Sequence, residues 1–261
     1  MTSLAEVGRR VFFVVALPIV LVALWWALSR NTTNFFVPRP GPLLQTFVDT
    51  WVGERFATDV VPSVTRFAVG VAVAIVLGIA IGTAIGTSTW LRRFTEPVLE
   101  LFRAIPPPVL VPVLMIILGV SDTMKVSVIA FGAIWPVLLN TVEGVRAVDS
   151  VLSDTARTYR IAGVARLRYL VLPSAGPQIM AGVRQALSVG LILMVISEMF
   201  ASSSGLGFTI VQFQRSFDVE AMWSGIVLLG LIGVLLSAIF HVTERRVLRW
   251  YHAQREVQRE R

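Results

Sequence analysis

Cysteine is absent from the 261 residues. That excludes disulfides, thiol nucleophiles and cysteine-ligated metals. Histidine is nearly absent: His241 falls at the end of an apolar run and His252 in a basic tail, too little for a metal site. Lysine occurs once, as Lys125 after Met124, so no Gly-x-x-x-x-Gly-Lys-Ser/Thr phosphate loop can be completed. No clustered His, Asp and Glu set and no nucleophile–base arrangement supports catalysis. Charge is scarce too, at 15% of the residues, where soluble domains carry about a quarter. What is present is apolar: 55% hydrophobic residues and a mean hydropathy of +0.76. Much of the surface must therefore face lipid. Lipid cannot satisfy backbone N–H and C=O groups, which favours helices.

Six apolar runs have the character of transmembrane helices, at about 11–28, 66–85, 109–118, 124–139, 179–200 and 222–242. The third is short and can be lengthened by an amphipathic stretch at 97–104. Trp25 and Trp26 suit an interfacial anchor of the first. The net charge of +7 is not a nucleic-acid stripe, because its arginines flank the spans. Arg9 and Arg10, Arg92 and Arg93, then Arg146, Arg157, Arg160, Arg166 and Arg168, and finally Arg245, Arg246, Arg249, Arg255, Arg259 and Arg261 all fall on one side if the spans number six. Both termini are then expected in the cytoplasm of a cell whose inner (plasma) membrane holds the chain. No small-residue cleavage site follows Ser29, so the first span reads as retained rather than as a signal peptide. The segments follow: residues 1–30 as tail and first span, 31–63 as an external loop, 64–242 as the core, with a charged connection at 146–176, and 243–261 as a basic tail. Within 31–63, Pro38, Pro40 and Pro42 lead into apolar residues at helical spacing. Those residues fit either an amphipathic surface helix or a packed loop.

Several residues stand out against this apolar ground. Gly78, Gly82 and Gly86 repeat every fourth residue of the second span, a face on which another helix can approach closely. Pro106-Pro107-Pro108, Pro112 and Pro136 interrupt spans, which suits helices that line a cavity as well as simple kinks. The fifth span carries Arg184, Gln185, Ser188, Ser197 and Glu198. Charges inside a bilayer are expensive and usually functional or paired. Arg184 and Glu198 are fourteen residues apart, about 21 Å along one helical face, and mark a candidate translocation line together with Pro106 and Pro136. A snorkelling Arg184 and a Glu198 that reaches water at the outer end fit the same sequence. The small residues 201–207 permit a tight turn, and 209–217 reads as a short helix.

The connection at 146–176 is amphipathic, with apolar Ile161, Val164, Leu167 and Leu170 among arginines. It resembles the hallmark loop of the membrane subunits of binding-protein-dependent ABC importers: Glu-Ala-Ala, three residues, Gly, nine residues, Ile-x-Leu-Pro. Asp154-Thr155-Ala156 takes the opening place and Leu170-Val171-Leu172-Pro173 the closing one. The family glycine falls on Arg160, and Gly163 comes three residues later. Phe102 to Pro106, Leu118-Gly119, Asn140-Thr141 with Gly144, Pro173 to Pro177, Arg184, and Ser197-Glu198 with Gly205 to Gly207 add to the likeness. It covers residues 38–246 and looks most like the branch handling sulfonates, taurine, nitrate and related small anions.

The resemblance implies an all-α membrane protein with the type I ABC importer permease fold and cytoplasmic coupling helices. It implies two membrane subunits, expected to be identical, two cytoplasmic ATP-binding subunits that hold ATP and magnesium, and an external solute-binding protein. No cofactor is expected on this chain. Coupling to the ATPase would fall to Asp154, Thr155, Ala156, Arg157, Arg160, Ile161, Ala162, Gly163, Leu167, Leu172 and Pro173. An ion-coupled secondary transporter would want more intramembrane carboxylates than Glu198 and an inverted repeat, neither of which is visible. A membrane-embedded enzyme would want the catalytic cluster that is missing.

Overall fold

The computed structural model describes residues 4–30, 34–200 and 202–251, with side chains from residue 16 onward. Asn31, Ala201, His252, Arg255, Arg259 and Arg261 lie outside the described residues, as do the side chains of Arg9 and Arg10. All regular elements among the described residues are helical: α1 Leu4–Ser29, α2 Pro40–Trp51, α3 Val61–Thr87, α4 Thr89–Ala104, α5 Leu110–Leu118, α6 Asp122–Arg146, α7 Ser150–Thr158, α8 Gly163–Arg166, α9 Leu172–Phe200, α10 Leu206–Arg215 and α11 Val219–Val247. Their starts follow capping chemistry. Ser88 and Ser121 accept from the Leu91 and Met124 N–H groups, each at 3.2 Å. Asp149 and Asp218 do the same for α7 and α11. Pro40 and Pro42 fall in the first turn of α2, where no N–H is required. The 31–63 segment thus takes its helical alternative, with Leu43 and Trp51 turned inward and the Trp51 indole donating to Ser224 Oγ at 2.9 Å.

Helix α6 is the centre, packed between α3 and α9. The approach of α3 is close because its facing residues lack side chains. A Cβ added at Gly78, Gly82 or Gly86 would stand 2.7–2.8 Å from Val137, Leu138 O or Val145. Gly182 of α9 meets the Pro136 carbonyl in the same way, at 2.6 Å. Helix α11 is only lightly covered, and α1 touches little besides α2.

Four helical stretches are long and apolar enough to cross a membrane: Phe56–Thr87, Asp122–Arg146, Gly163–Phe200 and Val219–Val247. The third expected span departs from a single rod. Thr89–Ala104 and Pro107–Leu118 meet at 74°, and they supply a fifth span only if taken together. The cause is local: consecutive prolines at 106–108 cannot donate, and Ile105, which precedes them, is extended at φ −76° and ψ 118°. Helix α5 alone has 9 residues, about 14 Å. The fifth expected span starts earlier than its apolar run, because Leu172-Pro173 does not break the helix. A π turn at Leu167–Val171, closed by the Leu172 N–H on the Leu167 carbonyl, carries α8 straight into α9. Helix α1, 26 residues long, occupies the first expected span.

Candidate functional site

The charged connection folds into α7, a sharp turn and α8. The turn is a complete C-terminal capping motif: Arg160 N–H donates to Arg157 O at 3.0 Å and Ile161 N–H to Ala156 O at 2.8 Å. It requires a left-handed residue, and Arg160 takes that role at φ 54°, with Gly163 following at φ 56°. The position where the hallmark pattern has glycine is therefore left-handed backbone, held here by arginine. Ala156 is buried beneath the turn, Leu167 and Leu172 are half-buried, and Asp154, Thr155, Arg157, Ile161, Ala162, Gly163 and Pro173 are exposed. The Asp154–Arg157 ion pair at 3.3 Å is largely in solvent and contributes little. The turn also presents apolar surface: Tyr159 is 75% and Val164 80% exposed, with Val151, Leu152 and Tyr169 beside them.

At the opposite end of the bundle, buried charged residues converge on an exposed Asp122. Glu198 of α9 is 0% exposed. It accepts from Arg66 Nη1 at 2.7 Å, from Ser63 Oγ at 2.8 Å and from the Gly207 N–H at 3.0 Å. Arg66 reaches on to Asp122 at 2.8 Å, and Lys125 approaches Asp122 at 3.5 Å. Asp59 accepts from the Gly205 N–H, and Ser63 from the Leu206 N–H, both at 2.9 Å. The partners of Glu198 all come from other elements, and Arg66 extends the contact to α6, so the cluster ties α3, α6, α9 and the start of α10 together. Gly205 sits at φ +115° with its Cα against the Glu198 carboxylate, where a Cβ would come within 2.5 Å. Ser197 is equally buried and donates to Met194 O. Sequence reasoning missed Arg66, Ser63, Asp59, Asp122 and Gly205 as partners. Arg66 stands at the edge of the second expected span and Asp122 just before the fourth, and a charge at the border of an apolar run is the one signal that could have marked them.

Arg184, Gln185 and Ser188 are exposed along a different stretch of α9. Arg184 pairs with Glu244 of α11 at 2.5 Å and lies over the Phe240 ring at 5.5 Å. Together with Ser188 and Ser237 it lines a groove of about 290 Å³ between α9 and α11. The structure thus separates the five polar residues of the fifth span into two environments. Ser197 and Glu198 are locked in the buried cluster, while Arg184, Gln185 and Ser188 face outward from the chain. Pro136 is half-buried in α6, and its carbonyl accepts from Asn140 Nδ2 at 2.8 Å. Pro106 is exposed at the α4–α5 bend, beside an aromatic group in which Phe102 and Trp135 stack at 6.3 Å.

The sequence model of the family described as binding-protein-dependent transport system inner membrane component matches residues 74–249. The permease protein SsuC of Escherichia coli (strain K12), assigned to aliphatic sulfonates transport, is 30% identical over 241 residues, covering 90% of this chain and 92% of its own. The taurine transport system permease protein TauC of the same organism is 27% identical over 255 residues, covering 94% and 91%. Among solved structures, an inward-facing conformation of the MetNI methionine ABC transporter aligns with a TM-score of 0.62 at 17% identity, covering 79% of this chain and 98% of that chain. At that identity the likeness speaks for the fold alone.

Proposed function

The chain belongs to the binding-protein-dependent transport system inner membrane component family, the membrane-spanning permeases of ABC importers, and on that footing we propose that it forms the pathway for a small anionic solute. The two relatives named above carry sulfonates and taurine in their names, and both bear a sulfonate group. Two copies of this chain would enclose the route. A separate binding protein would deliver the solute, and two cytoplasmic subunits would bind and hydrolyse ATP with magnesium. The arginine-rich connections and both termini would face that cytoplasmic side.

One observation carries the reading: the α7–α8 turn is rigidly closed on itself yet leaves Tyr159 and Val164 almost bare. Exposed apolar groups rimmed by cations fit a preformed knob for a partner with an apolar groove and acidic rim. Motion applied there passes without interruption into α9, because Gly163–Phe200 is one helical stretch. Replacing Val164 with Glu should leave membrane insertion intact, reduce co-purification of the ATP-binding subunits about tenfold, and abolish stimulated ATP hydrolysis, consistent with loss of an interface anchor. Unchanged co-purification would remove the turn from the interface.

The solute class rests on a different measurement. Uptake in vesicles holding the full transporter, tested against sulfonates, taurine, nitrate, bicarbonate and neutral amino acids, should be confined to anions and sulfonates. Uptake restricted to neutral amino acids would overturn the anionic assignment and leave the permease assignment standing.

A further inference from the structure

A second feature lies at the bundle end that carries the arginine-rich connections. A cavity of about 330 Å³ opens between the α3–α4 junction and the α7–α8 segment. Arg92, Arg146 and Arg166 line it, with the hydroxyl residues Ser88, Thr89 and Ser153, and no carboxylate contributes to its wall. The Arg92 Nε is buried and has no hydrogen-bond partner, an arrangement that costs free energy. Arg146 donates to Glu143 at 2.8 Å, which leaves its other guanidinium donors available. Neither Arg92 nor Arg166 takes part in an ion pair among the described residues. The first turn of the 16-residue α4 begins at Thr89 on the same wall, adding the positive end of a helix dipole. Glu96, Glu100 and Glu143 line a neighbouring, smaller cavity of about 160 Å³, which Arg92 and Arg146 also border.

What surrounds the cavity narrows the ligand. Trp90 and Phe94 project from the same turn of α4, 74% and 68% exposed, and stack at 5.7 Å. Exposed aromatics of this kind anchor at the headgroup level. Helix α3, 27 residues long, extends about 40 Å, and the hydrocarbon core is about 30 Å thick, so its end at Thr87 reaches the headgroups. We propose that the cavity binds the phosphate of an anionic phospholipid, with Arg92, Arg146 and Arg166 on the phosphate oxygens and the acyl chains running along Trp90 and Phe94. The headgroup then bridges the α3–α4 junction to the segment that moves α9.

The test uses the full chain alone in detergent, so its outcome does not depend on the transport reading. Native mass spectrometry with added phosphatidylglycerol or phosphatidylcholine should show phosphatidylglycerol retained about tenfold more strongly. The Arg92→Ala/Arg166→Ala double variant should lose that preference. An Arg93→Ala/Arg168→Ala double removes the same charge from the same two segments outside the cavity and should keep it. Millimolar inorganic phosphate should not displace the lipid. Equal loss in both doubles would reduce the effect to bulk surface charge and overturn the site, and displacement by inorganic phosphate would overturn the lipid as its occupant.

Discussion

At Arg160 a long cationic side chain holds a backbone angle that L-residues avoid by about 1–2 kcal/mol. The capping bonds to Ala156 and Arg157 offset that strain, so the turn forms without the expected glycine. Arg160→Gly relieves the strain but adds freedom to the unfolded chain, and its net effect on stability should fall within about 1 kcal/mol of zero. Arg160→Val adds a β-branched group at positive φ and should lower the melting temperature in detergent by several degrees, at about 2–4 °C per kcal/mol for a chain of this size. A stable Val variant would mean that the turn is not left-handed. The Glu198–Arg66 pair invites the opposite kind of change. Arg66→Ala strands the buried Glu198 charge and should destabilise by about 3–5 kcal/mol, whereas Glu198→Ala leaves Arg66 its Asp122 partner at 2.8 Å and should cost less. The double variant should cost clearly less than their sum, and additive losses would show that the two side chains do not meet.

Between elements, the decisive quantity is the clearance between α3 and α6. A Cβ at Gly82 would stand 2.7 Å from the Leu138 carbonyl oxygen, which belongs to backbone and cannot step aside. Gly82→Val should therefore cost about 3 kcal/mol or more through overpacking and reduce the yield of folded protein. Gly230→Ala in α11 meets nothing within 4 Å and should be neutral or stabilising by about 0.5–1 kcal/mol. Thermal unfolding of the two variants side by side checks the contrast. The glycine spacing at 78, 82 and 86 was visible in the sequence because helix packing repeats with the helix period. The proline run announced a break for an equally local reason, though not its 74° angle, which depends on what each half packs against. The Glu198 cluster was not legible: its members lie up to 146 positions apart in the chain, and no local period encodes them. The same limit explains why Arg184 and Glu198, related by four helical turns, lie in different surroundings. Helical phase fixes the side of α9 on which a residue stands, but the neighbouring elements decide whether that side is covered. Helices α3 and α10 close over Glu198, while the groove beside α11 leaves Arg184 open.

Taken whole, the chain is a tight α3–α6–α9 core with α11 beside it, α2 on α11 and α1 on α2, and it leaves a polar strip of a spanning helix uncovered. Arg184, Gln185 and Ser188 are exposed on α9, where contact with hydrocarbon would be costly. Arg184 is partly relieved by Glu244; Gln185 and Ser188 make no such pair. The economical resolution is that this strip faces water or the second copy in the assembled transporter, which makes it the candidate wall of the pathway. The absence of cysteine allows a direct check, since single cysteines can be introduced into the natural background. Cysteines at Gln185 and Ser188 should react with a small charged thiol reagent in the assembled complex, and their rates should change when ATP is bound and the route alternates. A cysteine at Ser197, inside the closed cluster, should stay unreactive in both states, and one at Val164 should react only when the reagent reaches the side bearing the arginine-rich connections. Unreactive cysteines at 185 and 188 throughout the cycle would turn the strip into a sealed subunit contact and move the pathway to another face of the bundle. Reactivity at 197 equal to that at 188 would instead mean that the Glu198 cluster opens during transport, making it a gate rather than a fixed tie.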